Sequence, residues 1–226
     1  MEDLLSYTLE DGIATLAMDD GKVNAMSIAM LETLHGAFDR AEKDGAVVLL
    51  TGREGIFSAG FDLKVFPQGR GPTVKMLRLG ATLCERILSF PYPVVTGCTG
   101  HAYPAGAFLM LSADRRIGSE GPFRIGMNEV AIGLTLPAFA VEVARHRLAP
   151  AYFQRAVTGD MYGPAEAVTA GFLDELVPAG DLAGRCREVA TGLCGVDFEA
   201  HRGTKQKVRA ACLAALRAAI DAELRD

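Results

Sequence analysis

The spacing of apolar residues changes several times along this chain, and each change marks an element. Alternation over residues 7–10 and 13–18, on either side of Asp11-Gly12, predicts a hairpin. Ser27 then stands as an N-cap before Met30, Leu31, Leu34 and Phe38, which share one helical face. The unbroken run Ala46-Val47-Val48-Leu49-Leu50 predicts a buried strand that ends at Thr51-Gly52-Arg53-Glu54-Gly55. Helical spacing returns over 73–88, and Pro91-Tyr92-Pro93 introduces a strand over 94–98. A stretch of small residues from Thr99 to Gly106 leads into an apolar helix over 107–113, with strand pieces at 115–117 and 123–125. From about Pro137 the pattern is helical, broken once at Pro178-Ala179-Gly180.

Strands alternating with helices predict an α/β fold with parallel strands, built as one domain with a helical tail. Composition narrows the classes of function. The chain has 226 residues, half of them hydrophobic, enough for a sizeable core. A net charge of −5 argues against a nucleic-acid partner. No apolar run reaches the length of a membrane span. Met1-Glu2-Asp3 lacks the basic and apolar regions of a signal peptide, which gives a cytoplasmic expectation. Five cysteines without C-x-x-C spacing and four histidines without an H-x-x-x-H pair suggest neither a disulfide framework nor a metal site.

The candidate chemistry lies at two turns and one acid. Ser58-Ala59-Gly60-Phe61 and Pro104-Ala105-Gly106 are small-residue turns at strand ends, where unpaired backbone N–H groups can hold a developing oxyanion. Ordinary strand-to-helix turns would carry the same residues. Asn128-Glu129-Val130 lies between Ile125-Gly126-Met127 and Ala131-Ile132-Gly133-Leu134; desolvation there would raise the pKa of Glu129 and suit it to proton transfer. A helix-capping or solvent-facing glutamate fits the same context. Ser58, Ser112 and Ser119 lie outside any G-x-S-x-G, and neither G-x-G-x-x-G nor a Walker loop is present. His101 reads as a structural hydrogen-bonder, and Lys205, Lys207 and Arg209 as a solvated helix face.

Taken together, Val23-Asn24-Ala25-Met26, Phe57-Ser58-Ala59-Gly60-Phe61-Asp62-Leu63, Gly100-His101-Ala102 through Asp114, Ile125-Gly126-Met127-Asn128-Glu129 and Thr158-Gly159 through Asp174 resemble the crotonase (enoyl-CoA hydratase/isomerase) superfamily. The resemblance implies a spiral of βαβ turns over residues 1–178 and a helical trimerisation region over 179–226, assembled as homotrimers or dimers of trimers. It implies an acyl-CoA thioester as substrate, with coenzyme A part of the substrate and no separate cofactor. The matching N–H donors are those of Phe61 and Ala105, where many relatives have glycine at the second position. Lys22, Val23, Ala25, Ala59, Gly60, Phe61, Asp62 and Leu63 match the CoA-binding edges. The family's hydratases place two glutamates about a water; here the first position is Phe108 and the second Glu129.

One acid suits moving a proton between carbons better than activating water. Ile-Gly-Met-Asn-Glu followed by Ile-Gly-Leu-Thr-Leu-Pro also resembles the Δ3,Δ2-enoyl-CoA isomerase branch. The expectation is a shift of the double bond from 3-enoyl-CoA to 2-enoyl-CoA through Glu129. A hydratase with a single glutamate, a non-catalytic acyl-CoA-binding subunit, and a serine hydrolase on the same fold are the alternatives.

Overall fold

The computed structural model describes residues 4–225; Met1-Glu2-Asp3, from which the cytoplasmic expectation was read, and the terminal Asp226 lie outside them. Strands β1 (Leu5–Glu10) and β2 (Ile13–Met18) form the expected antiparallel hairpin, with Asp11 and Gly12 at positive φ in the two-residue turn. Helix α1 (Ile28–Lys43) begins where Ser27 caps it: the Ser27 hydroxyl accepts the Met30 N–H at 3.1 Å. The chain then runs through β3 (Val47–Thr51), β4 (Gly55–Ser58), α2 (Arg70–Ser89), β5 (Val94–Cys98), β6 (Gly100–Ala102), α3 (Pro104–Ser112), β7 (Arg115–Ser119) and β8 (Ile125–Gly126). Helices α4 (Ala138–Arg147) and α5 (Pro150–Val157), strand β9 (Met161–Tyr162), α6 (Pro164–Ala170), strand β10 (Glu175–Val177), α7 (Leu182–Cys194) and α8 (Phe198–Glu223) complete it.

Two sheets result. The larger has the order β1-β2-β3-β5-β7-β10 and is parallel beyond its first pair; the smaller has the order β4-β6-β8-β9, antiparallel only at β9. The successive pairs β3/β4, β5/β6 and β7/β8 each give one strand to each sheet, so the chain winds as a spiral of stacked turns. Gly100 permits that stacking. A Cβ there would stand 2.0 Å from the carbonyl carbon of Gly55 on the neighbouring turn. Helix α7 closes one face of the larger sheet, setting Leu182, Cys186 and Ala190 against Ile13, Val47, Val95 and Ile117. Helix α8 lies across α2 and α4.

The structure departs from the sequence reading in several places, among them residues 100–102, which lie in the small-residue stretch yet form β6, and the strand piece at 123–125, which is strand only at Ile125–Gly126. Residues 55–58, which run from the end of the breaker to the start of the small-residue turn, form β4, so the turn itself begins at Ala59. Helix α3 starts at Pro104 rather than at 107, because proline suits the first helical position, where no intrahelical N–H bond is lost. The helical reading after Pro137 misses β9 and β10, which at two and three residues are too short to carry a period. The solvated face at the C-terminal helix is wrong for two of its three residues. Lys205 and Arg209, four apart on one side of α8, are buried against Asp114, with Nζ–Oδ2 at 2.7 Å and Nη2–Oδ1 at 2.8 Å. Lys207 faces solvent.

Candidate active site

The turn after β4 and the first turn of α3 are built against each other. The Tyr103 N–H donates to the Ser58 carbonyl at 2.9 Å, and a Cβ on Gly106 would lie 2.8 Å from Ser58 Cβ. Gly60 adopts φ +90°, and a Cβ on it would stand 3.6 Å from the Ala105 nitrogen. These contacts bring Phe61, the next residue, beside Ala105. Among the described residues, no acceptor takes the N–H of either one. Ala105 is free because the first turn of a helix has no preceding carbonyl to use. Phe61 is free because its neighbours take the pairing with Met26: Met26 N–H donates to Gly60 O, and Asp62 N–H to Met26 O. The Phe61 ring anchors the turn by packing on α2, so closely that a Cβ at Gly80 would come within 2.6 Å of it.

Beside this pair runs an apolar cavity of about 220 Å³, walled by Phe61, Phe66, Leu77, Ile132, Leu134 and Pro137 among others. Glu129 is the one carboxylate among its described lining residues. It caps a short 3-10 turn, Val130–Ile132, and its main-chain carbonyl accepts the Leu134 N–H at 2.9 Å. Only 7% exposed, its Oε2 has no hydrogen-bond partner among the described residues. Burial in this wall raises its pKa from 4.5 to about 7, outweighing a bond to its own backbone that pulls the other way. A carboxyl so placed can take and return a proton near neutrality, and paired main-chain donors can receive charge on an oxygen.

An outer cleft of about 410 Å³ adjoins the cavity and shares Ala59, Phe61 and Leu63 with it. The sequence-selected Lys22, Val23, Ala25 and Asp62 line this cleft, and Gly60 lines the cavity. Two selected residues line neither space. Ala105 is represented there by its backbone neighbours Tyr103 and Pro104. Phe108 is a correction to the expected lining: α3 is buried on every side, and at that point its outer face meets α4, so the Phe108 ring packs edge-on to Phe139 at 5.7 Å. His101 is the structural hydrogen-bonder expected, its Nδ1 accepting the Arg124 N–H at 3.0 Å.

Sequence reasoning passed over the residues that hold the turn. Ser58 reads from sequence as a small turn residue and a rejected nucleophile, yet its hydroxyl donates to Asn24 O at 2.7 Å and accepts the Gly60 N–H at 3.1 Å. Asn24 was seen only as part of a motif, although its φ of +51° and full burial set it apart. Leu77 carried a signal, an apolar helical face, that could not distinguish core from cavity wall.

An α/β spiral with two adjacent free main-chain donors beside a buried carboxylate defines a crotonase-type protein. The model of the Enoyl-CoA hydratase/isomerase family matches residues 8–225, and the chain belongs to that family. Crystal structures of an enoyl-CoA hydratase/isomerase family protein from Pseudomonas syringae (46% identical, TM-score 0.96, covering 98% of this chain and 97% of that one) and of the probable enoyl-CoA hydratase EchA3 from Mycobacterium tuberculosis (42%, 0.94, 97% and 94%) are similar. So is the mitochondrial enoyl-CoA delta isomerase 1 of Rattus norvegicus, 30% identical over 213 residues, 89% of this chain and 72% of the rat protein.

Proposed function

We propose that the protein moves the double bond of a 3-enoyl-CoA to give the 2-enoyl-CoA. The observation that carries this reading is the single carboxylate, Glu129, buried in an apolar cavity next to two free N–H donors. Glu129 removes the C2 proton, and the electron pair moves onto the thioester oxygen as an enolate. The N–H groups of Phe61 and Ala105 hold that oxygen. The same carboxyl returns the proton at C4 as the enolate collapses, so no water is consumed and no second acid is needed. The thioester carbonyl lies in the cavity, and the rest of the coenzyme A follows the outer cleft past Lys22, Val23, Ala25, Asp62 and Leu63.

Supplying the purified protein with 3-enoyl-CoA and 2-enoyl-CoA separately tests the reading. Isomerisation of the first is expected; brisk hydration of the second without isomerisation would replace it with a hydratase using Glu129 alone. The donor pair has its own test in Gly60→Ala. Its methyl would stand in van der Waals contact with the Ala105 nitrogen, at a φ that alanine tolerates poorly. A fall in kcat on the order of 100-fold, with KM changed little, is expected, the size seen when one such donor is lost. An unchanged kcat would remove the paired donors from the mechanism.

A further inference from the structure

The outer cleft and the free N–H of Phe61 are joined by one hydrogen-bonded hub. Its first member is Asp20, whose Oδ1 accepts the N–H groups of Lys22 and Asn24, both at 2.8 Å, and whose Oδ2 accepts that of Ala25 at 3.1 Å. Burial works against the Asp20 charge, but these backbone donors, with Arg53 nearby, outweigh it and hold the carboxyl below its ordinary range. The carboxylate therefore fixes the loop that walls the outer cleft. Asn24 is the second member. Its amide nitrogen donates to Met18 O at 3.0 Å and to Phe57 O at 3.2 Å, while its Oδ1 accepts the Asp20 N–H at 3.0 Å. It thus ties the loop to the ends of β2 and β4.

Ser58 completes the hub. Its hydroxyl donates to Asn24 O and accepts the Gly60 N–H, one peptide before the donor at Phe61. The Ala59 N–H donates to Val23 O at 2.9 Å and closes a second link between the same two segments. Loop 20–25 and turn 58–61 are consequently one body, and neither can shift without breaking buried bonds.

We propose that Asn24 and Ser58 are positioning residues that couple the outer cleft to the cavity: whatever occupies the cleft along loop 20–25 sets the aim of the Phe61 N–H. The inference rests on the thioester reading above and adds that binding energy from the nucleotide-bearing end of the substrate is delivered to the reacting end. A substrate part remote from the reaction then raises kcat as well as lowering KM.

The test is a cycle between Ser58→Ala and truncation of the substrate to its pantetheine thioester, using whichever acyl-thioester turnover the protein shows. With the intact hub, truncation is expected to lower kcat about tenfold or more. In Ser58→Ala, kcat with the full substrate is lowered to a similar degree, and truncation then costs kcat little further. Independent, multiplying losses would overturn the proposal. Asn24→Gly, which keeps the positive φ and removes the amide bonds, is the second variant should Ser58→Ala fold poorly, and the same non-additivity is expected of it. A readout free of turnover separates this inference from the proposed reaction. Coenzyme A alone should slow amide exchange across 56–63 in the native protein, and should do so much less in either variant. Equal protection in all three would overturn the coupling even if isomerisation is found. Unequal protection would sustain it even if the chemistry proves to be hydration.

Discussion

Glu129→Gln is expected to lower the proposed isomerisation by 10²–10⁴-fold and, at pH 8, to raise the melting temperature. The first effect is the usual range for losing a positioned acid–base group. The second follows from burial. An acid whose pKa rises from 4.5 in the unfolded chain to about 7 in the folded one binds its proton more tightly when folded. The native state is therefore favoured while the group is protonated, and stability falls as pH rises from 4.5 through 7. The whole shift corresponds to roughly 3 kcal/mol, part of which a glutamine would give back by burying an amide of its own. A gain of a few degrees at pH 8 and little or none at pH 5 is the expected pattern in thermal unfolding. The native enzyme's kcat should rise with pH through about 7 as Glu129 ionises. A variant that retains activity, or a gain in stability that ignores pH, would exclude Glu129 as the buried base.

The second large effect lies far from the cavity. Asp114 accepts from Lys205 and Arg209, and also from the Val94 N–H at 2.8 Å, where β5 begins. The side chains of Lys205 and Arg209 are 3% and 6% exposed, so Asp114→Ala would leave two cations inside the protein without their shared carboxylate. A loss of about 3–5 kcal/mol is expected, or a drop in melting temperature on the order of 10 °C. Lys205 already has its pKa pushed down to about 8, first by burial and then against the pull of Asp114. A lysine held below its unfolded value of 10.5 penalises folding at low pH, and the penalty lifts as pH rises. The variant should therefore lose more stability at pH 6 than at pH 9. Replacing all three residues by apolar side chains of similar size should recover most of the loss. A drop below about 1 kcal/mol would mean that water reaches these cations after all.

The two turns and the acid were legible because each depends on local chemistry. Gly60 and the Pro104-Ala105-Gly106 stretch announce special backbone, and Glu129 is the one charged residue between Arg124 and Glu142. The α/β alternation was legible from the runs at 46–50 and 94–98. What escaped depends on distance in the chain. Asp114 and Lys205 are 91 residues apart, and a cation at 205 reads as surface until its partner is known. Ser58 meets Asn24 across 34 residues, and nothing in either one's surroundings reports the bond. Phe108 shows the opposite failure. The position was known from resemblance, but a helix buried on all sides gives no pattern telling which way one of its side chains points.

Helix α3 is nine residues long and has no exposed face, so the donor at its start sits on a footing with nowhere to fray. Both free donors are main-chain atoms, and only the Phe61 ring, which anchors its turn on α2, ties one of them to a side chain. A lineage built on this mould can exchange Leu77, Ile132 or Leu134 for other apolar residues and try new acyl shapes without ever putting the charge-bearing atoms at risk.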